Sequence, residues 1–212
     1  MTKNYPGIFI SLEGPEGAGK STQLKLISKQ LETLNYKHVI TRDPGGTALG
    51  RQIRRIVLNP ENQIEKIAEL LLYQADRAQN VAEVIRPALQ QGLLVFCDRY
   101  TDSTLAYQGF GRGMSFELIE QLNAVATEGL KPELTILFDL PSEEGLARLH
   151  PGSQDRLERE ALEFHQRIRA GYKQLIEKEP ERWQVIDASK PLTTVQAEFK
   201  KIVADKLAIK LD

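Results

Sequence analysis

Short apolar runs alternate with longer amphipathic segments along the whole chain. The short runs have the length of buried strands, and the longer segments repeat apolar residues at helical spacing. This alternation is typical of a parallel sheet that is covered by helices. Predicted strands cover residues 8–12, 38–41, 93–97, 134–138 and 183–186. Predicted helices cover residues 21–34, about 64–91, 116–128, 143–149, 157–178 and 193–211.

The alternation continues without an internal repeat or a low-complexity tract, so we expect one doubly wound α/β domain over residues 1–212. Its sheet would have five parallel strands, with helices on both faces. In such sheets ligands bind outside the carboxyl ends of the strands. The polar residues that follow the strands are therefore the candidates for a site, and they are residues 13–20, 42–46, 98–100, Asp139 and Asp187.

The composition narrows the class of protein. With 212 residues, 41% hydrophobic and 27% charged, the chain has the make-up of a soluble globular domain. A net charge of −1 gives no electrostatic case for nucleic acid or a membrane as a partner. The single cysteine, Cys97, excludes an internal disulfide and a cysteine cluster for zinc, and we expect it to be buried rather than reactive. Since no secretory or membrane-spanning segment is visible, we expect a cytoplasmic protein.

The first predicted strand runs directly into the pattern G-x-x-x-x-G-K-[ST], which residues 14–21 match as GPEGAGKS. Backbone N–H groups of such a phosphate loop, and the N-terminus of the helix that follows, face a polyphosphate. Lys20 would reach the outer phosphates, and the Ser21 hydroxyl would bind magnesium. The alternative is a glycine turn that only links a strand to a helix. We favour the nucleotide loop because both flanks have the apolar pattern that it requires.

Two apolar strands end in aspartate and could supply a carboxylate for magnesium. Asp98 follows the strand over residues 93–97 and precedes Arg99, and its carboxylate would order the ion directly or through water. A helix cap or an ion pair with Arg99 is the alternative. Asp139 follows the strand over residues 134–138, but no arginine or polar cluster comes after it. We therefore favour Asp98 for magnesium and a capping role for Asp139.

Several arginines lie near the carboxyl ends of the predicted strands, where they could bind the phosphate group of a phosphorylated acceptor. The arginines concerned are Arg42, Arg51, Arg54, Arg77 and Arg99. Each one alone is more often a surface charge, except Arg99 beside Asp98, for which we favour a role in the site.

Two polar segments could complete an acceptor pocket. Residues 43–47, DPGGT, must turn sharply before a helix begins, and a tight turn alone would also explain them. Residues 100–113 carry short side chains, hydroxyls and the aromatic Tyr107, which suit recognition of a base edge and a sugar. The alternative for this second segment is an ordinary polar loop.

Several stretches carry a resemblance to a known family, and they run almost from end to end: LEGPEGAGKST, TRDPGGT, LLLYQADRAQ, CDRY, DSTLAYQGFGRG and DRLERE. In this order they resemble the thymidylate kinase family of P-loop nucleoside monophosphate kinases. The resemblance implies a fold of the P-loop NTPase type with a short mobile lid. It also implies Mg²⁺-dependent transfer of the ATP γ-phosphoryl group to dTMP, which gives dTDP and ADP for dTTP biosynthesis.

The resemblance implies a role for each matching position. Residues that would wrap the ATP phosphates are Gly14, Pro15, Glu16, Gly17, Ala18, Gly19, Lys20, Ser21 and Thr22. Residues that would bind dTMP are Glu16, Asp43, Pro44, Arg54, Tyr73, Arg77, Arg99, Ser103, Thr104, Tyr107 and Gln108. Ser21 and Asp98 would hold Mg²⁺, and Lys20, Asp98 and Arg99 would act in catalysis.

Within the implied dTMP site, the contacts differ from residue to residue. Glu16 would face the sugar 3′-hydroxyl, and Arg54 and Arg99 would bind the phosphate beside a pocket shaped by Asp43 and Pro44. The Tyr73 ring would stack on thymine, while Arg77 and Thr104 would hydrogen-bond the base. Tyr107 would crowd the 2′ position and thus favour deoxyribose.

The predicted lid, at about residues 148–159, departs from the family pattern. Such kinases stabilise the transferring phosphoryl group with an arginine from the phosphate loop or from the lid, and this phosphate loop contains none. Bacterial relatives usually carry more arginines before the Asp-Arg pair, where this chain has HPG at residues 150–152. Arg148 and Arg156 are the candidates, and the sequence does not decide between them. We expect His150 to be a solvated loop residue rather than a general base.

Other functions remain open on the sequence alone. A kinase of another monophosphate such as dUMP, or of a deoxynucleoside, would use the same scaffold. A nucleotide-dependent switch or scaffold would turn binding into a conformational change. The resemblance also implies a homodimer. The apolar helix surface of Ala68, Leu71, Leu72, Ala75 and Ala78 would serve either a partner or the core, and we expect the core.

Overall fold

The centre of the fold is a five-stranded parallel sheet with the strand order β2-β3-β1-β4-β5. The computed structural model describes residues 5–149, 152 and 154–209 of the chain. The strands are β1 (Ile8–Glu13), β2 (His38–Arg42), β3 (Leu94–Asp98), β4 (Leu134–Asp139) and β5 (Trp183–Asp187). All five predicted strands are thus confirmed, and Cys97 lies buried within β3.

Every strand ends one residue later than the sequence pattern predicts, and that last residue is charged. The residues are Glu13, Arg42, Asp98, Asp139 and Asp187. They are part of the backbone ladder, since Asp98 lies in register with Arg42 on one side and with Leu12 on the other. The ladder is formed by backbone groups, so a charged side chain can end a strand at the edge where a ligand binds.

Helices cover both faces of the sheet. They are α1 (Lys20–Thr33), α2 (Ala48–Leu58), α3 (Lys66–Asn80), α4 (Arg86–Gln90), α5 (Thr101–Thr104), α6 (Phe116–Thr127), α7 (Ser142–Ala147), α8 (Leu162–Lys178) and α9 (Leu192–Leu207). A π-helical turn, Val81–Ile85, joins α3 to α4, and another, Leu105–Gly111, continues α5; Pro180–Arg182 is a 3₁₀ turn. Alternate residues of the strands pack against α1 and α9 on one face and against the π-helical turn Val81–Ile85, α4 and α8 on the other. Within the described ranges, no helix has both the length and the apolar character needed to cross a bilayer.

Several helix boundaries differ from the sequence prediction, and the larger differences concern α2, α8 and α9. The prediction gave no span for α2, although Thr47 caps it by accepting a 2.9 Å hydrogen bond from the Gly50 N–H. The helix predicted from residue 157 begins at Leu162, because Asp155 holds residues 155–158 in a turn by accepting from the N–H groups of Leu157 and Glu158. The last helix ends at Leu207, and residue 211 of its predicted span lies outside the described residues.

Residues 101–111 are helical rather than an ordinary polar loop, so that alternative is wrong. Their glycines resemble loop residues in the sequence, but they make room for aromatic rings of neighbouring helices. A Cβ atom on Gly111 would lie 2.6 Å from the Phe164 ring, and one on Gly109 would lie 2.7 Å from the Phe116 ring. The glycines therefore allow α6 and α8 to pack closely against this segment.

Helix α3 buries most of its polar residues and leaves several of its apolar residues exposed. Its buried residues are Glu69, Leu70, Tyr73, Gln74, Asp76, Arg77 and Asn80. On the opposite side, Ala68, Leu71 and Ala75 are exposed, and Leu72 and Ala78 are half-buried. The expectation that this surface packs into the core is wrong. The helix is oriented by its polar residues, which face the carboxyl edge of the sheet.

Candidate active site

A cleft of about 200 Å³ opens at the carboxyl edge of the sheet, between the phosphate loop and helices α2 and α3. Most of the predicted site residues line it: Glu16, Gly17, Ala18, Gly19, Lys20, Ser21, Thr22, Asp43, Pro44, Arg54, Tyr73, Arg77, Asp98, Arg99, Ser103, Thr104, Tyr107 and Gln108. Arg42 also lines the cleft. Arg51 is exposed, and neither Arg51, Arg148 nor Arg156 lines the cleft.

The phosphate loop curves around the end of α1. Gly14, Gly17 and Gly19 have positive φ angles of 135°, 73° and 83°, which glycine adopts without the steric cost of a side chain. Lys20 is the first residue of α1, and its Nζ donates hydrogen bonds of 2.9 Å to the carbonyls of both Gly14 and Pro15. Burial and the nearby Arg99 lower the pKa of Lys20. The loop thus holds a desolvated ammonium group beside the helix N-terminus, where an anion binds well.

Ser21 and Asp98 form a pair of oxygen ligands that fits a divalent cation. The Ser21 Oγ donates a 2.9 Å hydrogen bond to Asp98 Oδ2. The other carboxylate oxygen, Oδ1, is buried and has no hydrogen-bond partner. Mg²⁺ prefers such oxygen ligands. Asp139, the other candidate, accepts two hydrogen bonds of 2.7 and 2.9 Å from Arg169, so its carboxylate is already paired.

Arg99 lies between the phosphate loop and the rest of the cleft. Its φ angle of 70° is unusual for a residue with a side chain and marks a strained position. The guanidinium donates a 2.9 Å hydrogen bond to the Gly14 carbonyl, pairs with Glu16 and lies 4.9 Å from the centre of the Tyr107 ring. Burial alone would raise the pKa of Glu16, but Arg99 and Lys20 lower it to about 2. Glu16 is therefore ionised at neutral pH.

Arg77 is almost fully enclosed, with 1% of its surface exposed. Its Nε pairs with Asp43 at 3.0 Å, and its Nη1 donates to Thr104 Oγ1 at 2.8 Å and to Asn123 Oδ1 at 2.9 Å. Its Nη2 donates to the Tyr100 carbonyl at 3.0 Å. Most of its N–H groups therefore bind protein atoms and hold the wall of the cleft in place. A contact between Arg77 and a nucleotide base stays a prediction.

The segment 43–47 is held from behind by buried polar residues. Its Asp43–Pro44 peptide bond is cis, and the Gly45 N–H donates a 2.9 Å hydrogen bond to Asp76 Oδ1. Asn80 donates to Asp43 Oδ1 at 2.6 Å. Burial and the charge of Asp43 raise the pKa of Asp76 to about 7. Asp43 and Asp76 thus shape the turn that presents the Pro44 carbonyl to Arg54, at 3.1 Å.

Glu13 is a supporting residue to which the sequence assigned no role. Its carboxylate is 0% exposed and accepts hydrogen bonds from the Tyr100 N–H at 2.8 Å, from the Tyr172 hydroxyl at 2.9 Å and from Ser103. Burial and the charge of Asp102 raise the pKa of Glu13 to about 7. In the sequence, Glu13 could have been noticed only as a single carboxylate between an apolar strand and the phosphate loop.

The predicted lid divides into two parts. Arg148 lies at the phosphate loop, where its Nη1 donates to the Ala188 carbonyl at 3.1 Å and to the Gly17 carbonyl at 3.4 Å. Arg156 is held elsewhere, by the Val57 carbonyl at 2.8 Å and by Glu69. His150 and Pro151 lie outside the described residues. Asp155, Leu157 and Glu158 line the cleft, and the sequence signalled them only through the stretch DRLERE.

This fold and cleft define a P-loop phosphotransferase, because the loop suits a nucleoside triphosphate and the arginine-lined cleft beside it leaves room for a second anion. A family model described as "Thymidylate kinase" matches residues 12–199. The chain belongs to the thymidylate kinase family.

Individual members of this family are similar to the chain over nearly their whole length. The chain is 49% identical over 201 residues to the thymidylate kinase of Deinococcus radiodurans, covering 94% of this chain and 98% of that protein. It is 52% identical over 195 residues to that of Carboxydothermus hydrogenoformans, covering 92% and 95%. The crystal structure of thymidylate kinase from Ehrlichia chaffeensis superposes with a TM-score of 0.75 at 33% identity, covering 93% of this chain and 98% of that one. The predicted family, fold and enzyme class are confirmed.

Proposed function

We propose that this protein transfers the γ-phosphoryl group of ATP to dTMP, which yields dTDP and ADP for dTTP biosynthesis. The observation that carries the proposal is the position of Arg99. Its guanidinium binds the Gly14 carbonyl of the phosphate loop and also lies over Tyr107 in the adjoining cleft. A cation in that position would contact both the donor and the acceptor phosphate, as an in-line transfer between two nucleotides requires.

Catalysis would come from positioning and from neutralising charge. The acceptor is a phosphate oxygen that is already ionised near neutral pH, so little proton abstraction is needed. Gly14 to Thr22 would wrap the ATP phosphates through their backbone N–H groups, with Lys20 beside the γ-phosphate. Lys20 and Arg99 would stabilise the charge that spreads over the transferring group.

Mg²⁺ is the proposed cofactor, and Ser21 and Asp98 would hold it. The unpartnered Asp98 Oδ1 supports this assignment, because a buried carboxylate oxygen without a hydrogen bond is costly unless a ligand satisfies it. When bound, Mg²⁺ would supply positive charge that offsets the charge of the phosphates.

The dTMP site is proposed on the other side of Arg99. Arg54 and Arg99 would bind its phosphate beside Asp43 and Pro44, and the ionised Glu16 would accept from the sugar 3′-hydroxyl. Tyr73 and Tyr107 supply two aromatic rings in the cleft, one for stacking on thymine and one against the 2′ position. Hydrogen bonds to the base would come from a set of polar side chains on the cleft wall: Arg77, Ser103, Thr104 and Gln108.

We propose that residues 1–212 work as one kinase domain with a lid at about residues 148–159. Arg148 would be the lid arginine that acts in catalysis, a role supported by its contact with the Gly17 carbonyl. Arg156 is the weaker candidate, since Val57 and Glu69 hold it outside the cleft. Closure of the lid would exclude water and limit hydrolysis of ATP. We propose a cytoplasmic location, where both substrates are found.

A homodimer is proposed through the exposed apolar surface of α2, α3 and α6. These helices pack side by side, and their exposed large apolar residues are Leu49, Ile56, Ile67, Leu71 and Val125. An apolar surface that crosses three adjacent helices is typical of a protein interface. A second copy of the chain would cover it.

An acceptor panel tests the proposed function. The protein is incubated with ATP, Mg²⁺ and one of dTMP, dUMP, dCMP, dGMP, dAMP or thymidine, and formation of ADP is followed. We expect rapid ADP formation with dTMP, slower formation with dUMP and little with the others. Preference for another acceptor would replace dTMP as the substrate. ADP formation that no acceptor stimulates would support a nucleotide-dependent switch instead.

A further inference from the structure

Glu69 is a buried carboxylate, 1% exposed, that three side chains from outside α3 bind. It accepts hydrogen bonds from Gln108 Nε2 at 2.9 Å and from Arg112 Nε and Nη2 at 3.2 Å each. It also pairs with Arg156 Nη2. Gln108 lies in the π-helical turn after α5, and Arg156 lies in the lid. One carboxylate thus connects three separate parts of the chain.

Arg156 is fixed at its backbone as well as at its side chain. Its N–H donates a 3.0 Å hydrogen bond to the Leu58 carbonyl, and its Nε donates to the Val57 carbonyl at 2.8 Å. Both carbonyls belong to the end of α2. The lid segment of residues 155–160 is therefore held to α2 by backbone contacts and to α3 by Glu69.

Glu69 and Arg156 lie next to residues that line the cleft. Gln108 lines the cleft directly, and so do Leu157 and Tyr73. Leu157 follows Arg156 in the chain, and Tyr73 lies one turn after Glu69 on the same helix. If the contacts of Glu69 were lost, Leu157 and Tyr73 would both be free to move, and both line the cleft in which the base and sugar of dTMP are proposed to bind.

The charges around Glu69 balance. Arg112 also pairs with Glu160 at 2.5 Å, so two carboxylates face two guanidinium groups. Burial alone would raise the pKa of Glu69, but hydrogen bonds from Arg112 and Gln108 lower it, and the group is ionised at neutral pH. Breaking such a buried pair leaves an uncompensated buried charge, which is strongly destabilising. We therefore expect the residue that carries this charge to move toward solvent.

We propose that Glu69 is a positioning residue that holds the lid segment of residues 155–160, through Arg156, against the dTMP pocket. The inference rests on the proposed function and reassigns Arg156 from catalysis to positioning. It predicts that Glu69 and Arg156 act as one unit on acceptor binding. The ATP site, which lies on the other side of Arg99, should be little affected.

Steady-state kinetics with dTMP and ATP varied separately test the inference on wild type, Glu69→Gln, Arg156→Gln and the double variant. We expect each single variant to raise the KM for dTMP about tenfold while changing the KM for ATP less than about twofold. The double variant should be no worse than the poorer single variant, because the two residues form one interaction. Trypsin should cleave faster after the exposed Arg159 in Glu69→Gln, since the segment is released.

The matched control is Glu179→Gln, which removes an ion-pairing carboxylate outside the cleft and should change neither KM. A Glu69→Gln protein with a lower Tm and an unchanged KM for dTMP would make Glu69 merely structural and overturn the proposal. A large loss of kcat in Arg156→Gln at an unchanged KM would return Arg156 to catalysis and also overturn it. If Glu69→Gln does not fold, Arg156→Gln alone decides by the same criteria. Wild type without dTMP kinase activity would defeat the proposed function instead.

Discussion

The Nη1 atom of Arg99 donates a 2.9 Å hydrogen bond to the carbonyl oxygen of Gly14. This bond joins the residue after β3 to the first residue of the phosphate loop across two neighbouring strands. The guanidinium is thereby held between the phosphate loop and the part of the cleft where we propose that dTMP binds. Positioned charge of this kind needs no reorganisation during the reaction and is for that reason effective in catalysis.

Replacing Arg99 by alanine should lower kcat/KM for dTMP by on the order of a thousandfold. The variant would lose the cation that we propose to lie between the two phosphates, and it also frees Glu16, whose charge Arg99 balances. Steady-state kinetics measure the loss, and circular dichroism verifies folding. Arg55→Ala, at an exposed position on α2, is the control, and its kcat/KM for dTMP should be near that of wild type. A folded Arg99→Ala enzyme with a near-normal rate would remove Arg99 from the mechanism.

Lys20→Ala should likewise reduce kcat by on the order of a thousandfold, because the ammonium held by Gly14 and Pro15 would no longer contact the transferring phosphoryl group. Turnover at saturating ATP and dTMP measures this effect. Lys29→Ala removes an exposed lysine from the same helix and should leave turnover intact. Equal activity of the two variants would contradict the proposed role of Lys20.

Glu13 should make stability depend on pH. Its pKa rises from 4.5 to about 7 on folding, so between these values the folded state binds more protons than the unfolded chain. Its contribution is therefore complete below about pH 4.5 and declines as the pH rises through about 7. Glu13→Gln stays neutral, and its free energy of unfolding relative to wild type should rise by up to about 3 kcal/mol across this window.

Urea unfolding at several pH values on both sides of this window measures the Glu13 effect. Glu133→Gln, which replaces an exposed glutamate at the other end of the sheet, provides the comparison. A constant difference between wild type and Glu13→Gln would mean that Glu13 does not take up a proton on folding.

Arg148→Ala should lower kcat by on the order of a hundredfold, since the side chain at the Gly17 carbonyl is the lid arginine nearest the phosphate loop. The KM for dTMP should change little. Single-turnover experiments, which isolate the phosphoryl-transfer step, are the most direct measurement. Arg159→Ala, which removes an exposed arginine from the same segment, serves as the control. If both variants transfer at the wild-type rate, the catalytic arginine lies elsewhere.

Leu71→Glu should convert the proposed dimer to a monomer. The substitution places a charge at the centre of the apolar surface of α2, α3 and α6, where it would be desolvated by a partner. Sedimentation velocity measures the mass. Leu34→Glu introduces the same charge at the leucine that directly follows α1 and is equally exposed, 48%. Dimers that survive Leu71→Glu, or a monomeric wild type, would rule out this surface as the interface.

Much of the fold follows from local patterns. The five strands were predicted because each is a short apolar run between turn signals. The phosphate loop was predicted because its glycines and its lysine lie within one short stretch of the chain. The helical state of residues 101–111 was missed. Glycine and short polar residues have low helix propensity, and only contacts with Phe116 and Phe164 explain their conformation.

The apolar runs, the turn residues between them and the glycine motif were enough to predict the parallel α/β fold, the phosphate loop and the edge of the sheet where the cleft opens. The sequence favoured Asp98 over Asp139, and the folded structure shows why: Asp98 lies beside Ser21, whereas Asp139 is paired with Arg169, 30 residues away in the chain. Only the tertiary structure decided that Arg156 is held by Glu69, and that α3 buries most of its polar residues. A local pattern depends on residues that are neighbours along the chain. These ion pairs instead join residues that are far apart in the chain, and they form only when the helices pack against the sheet and against one another.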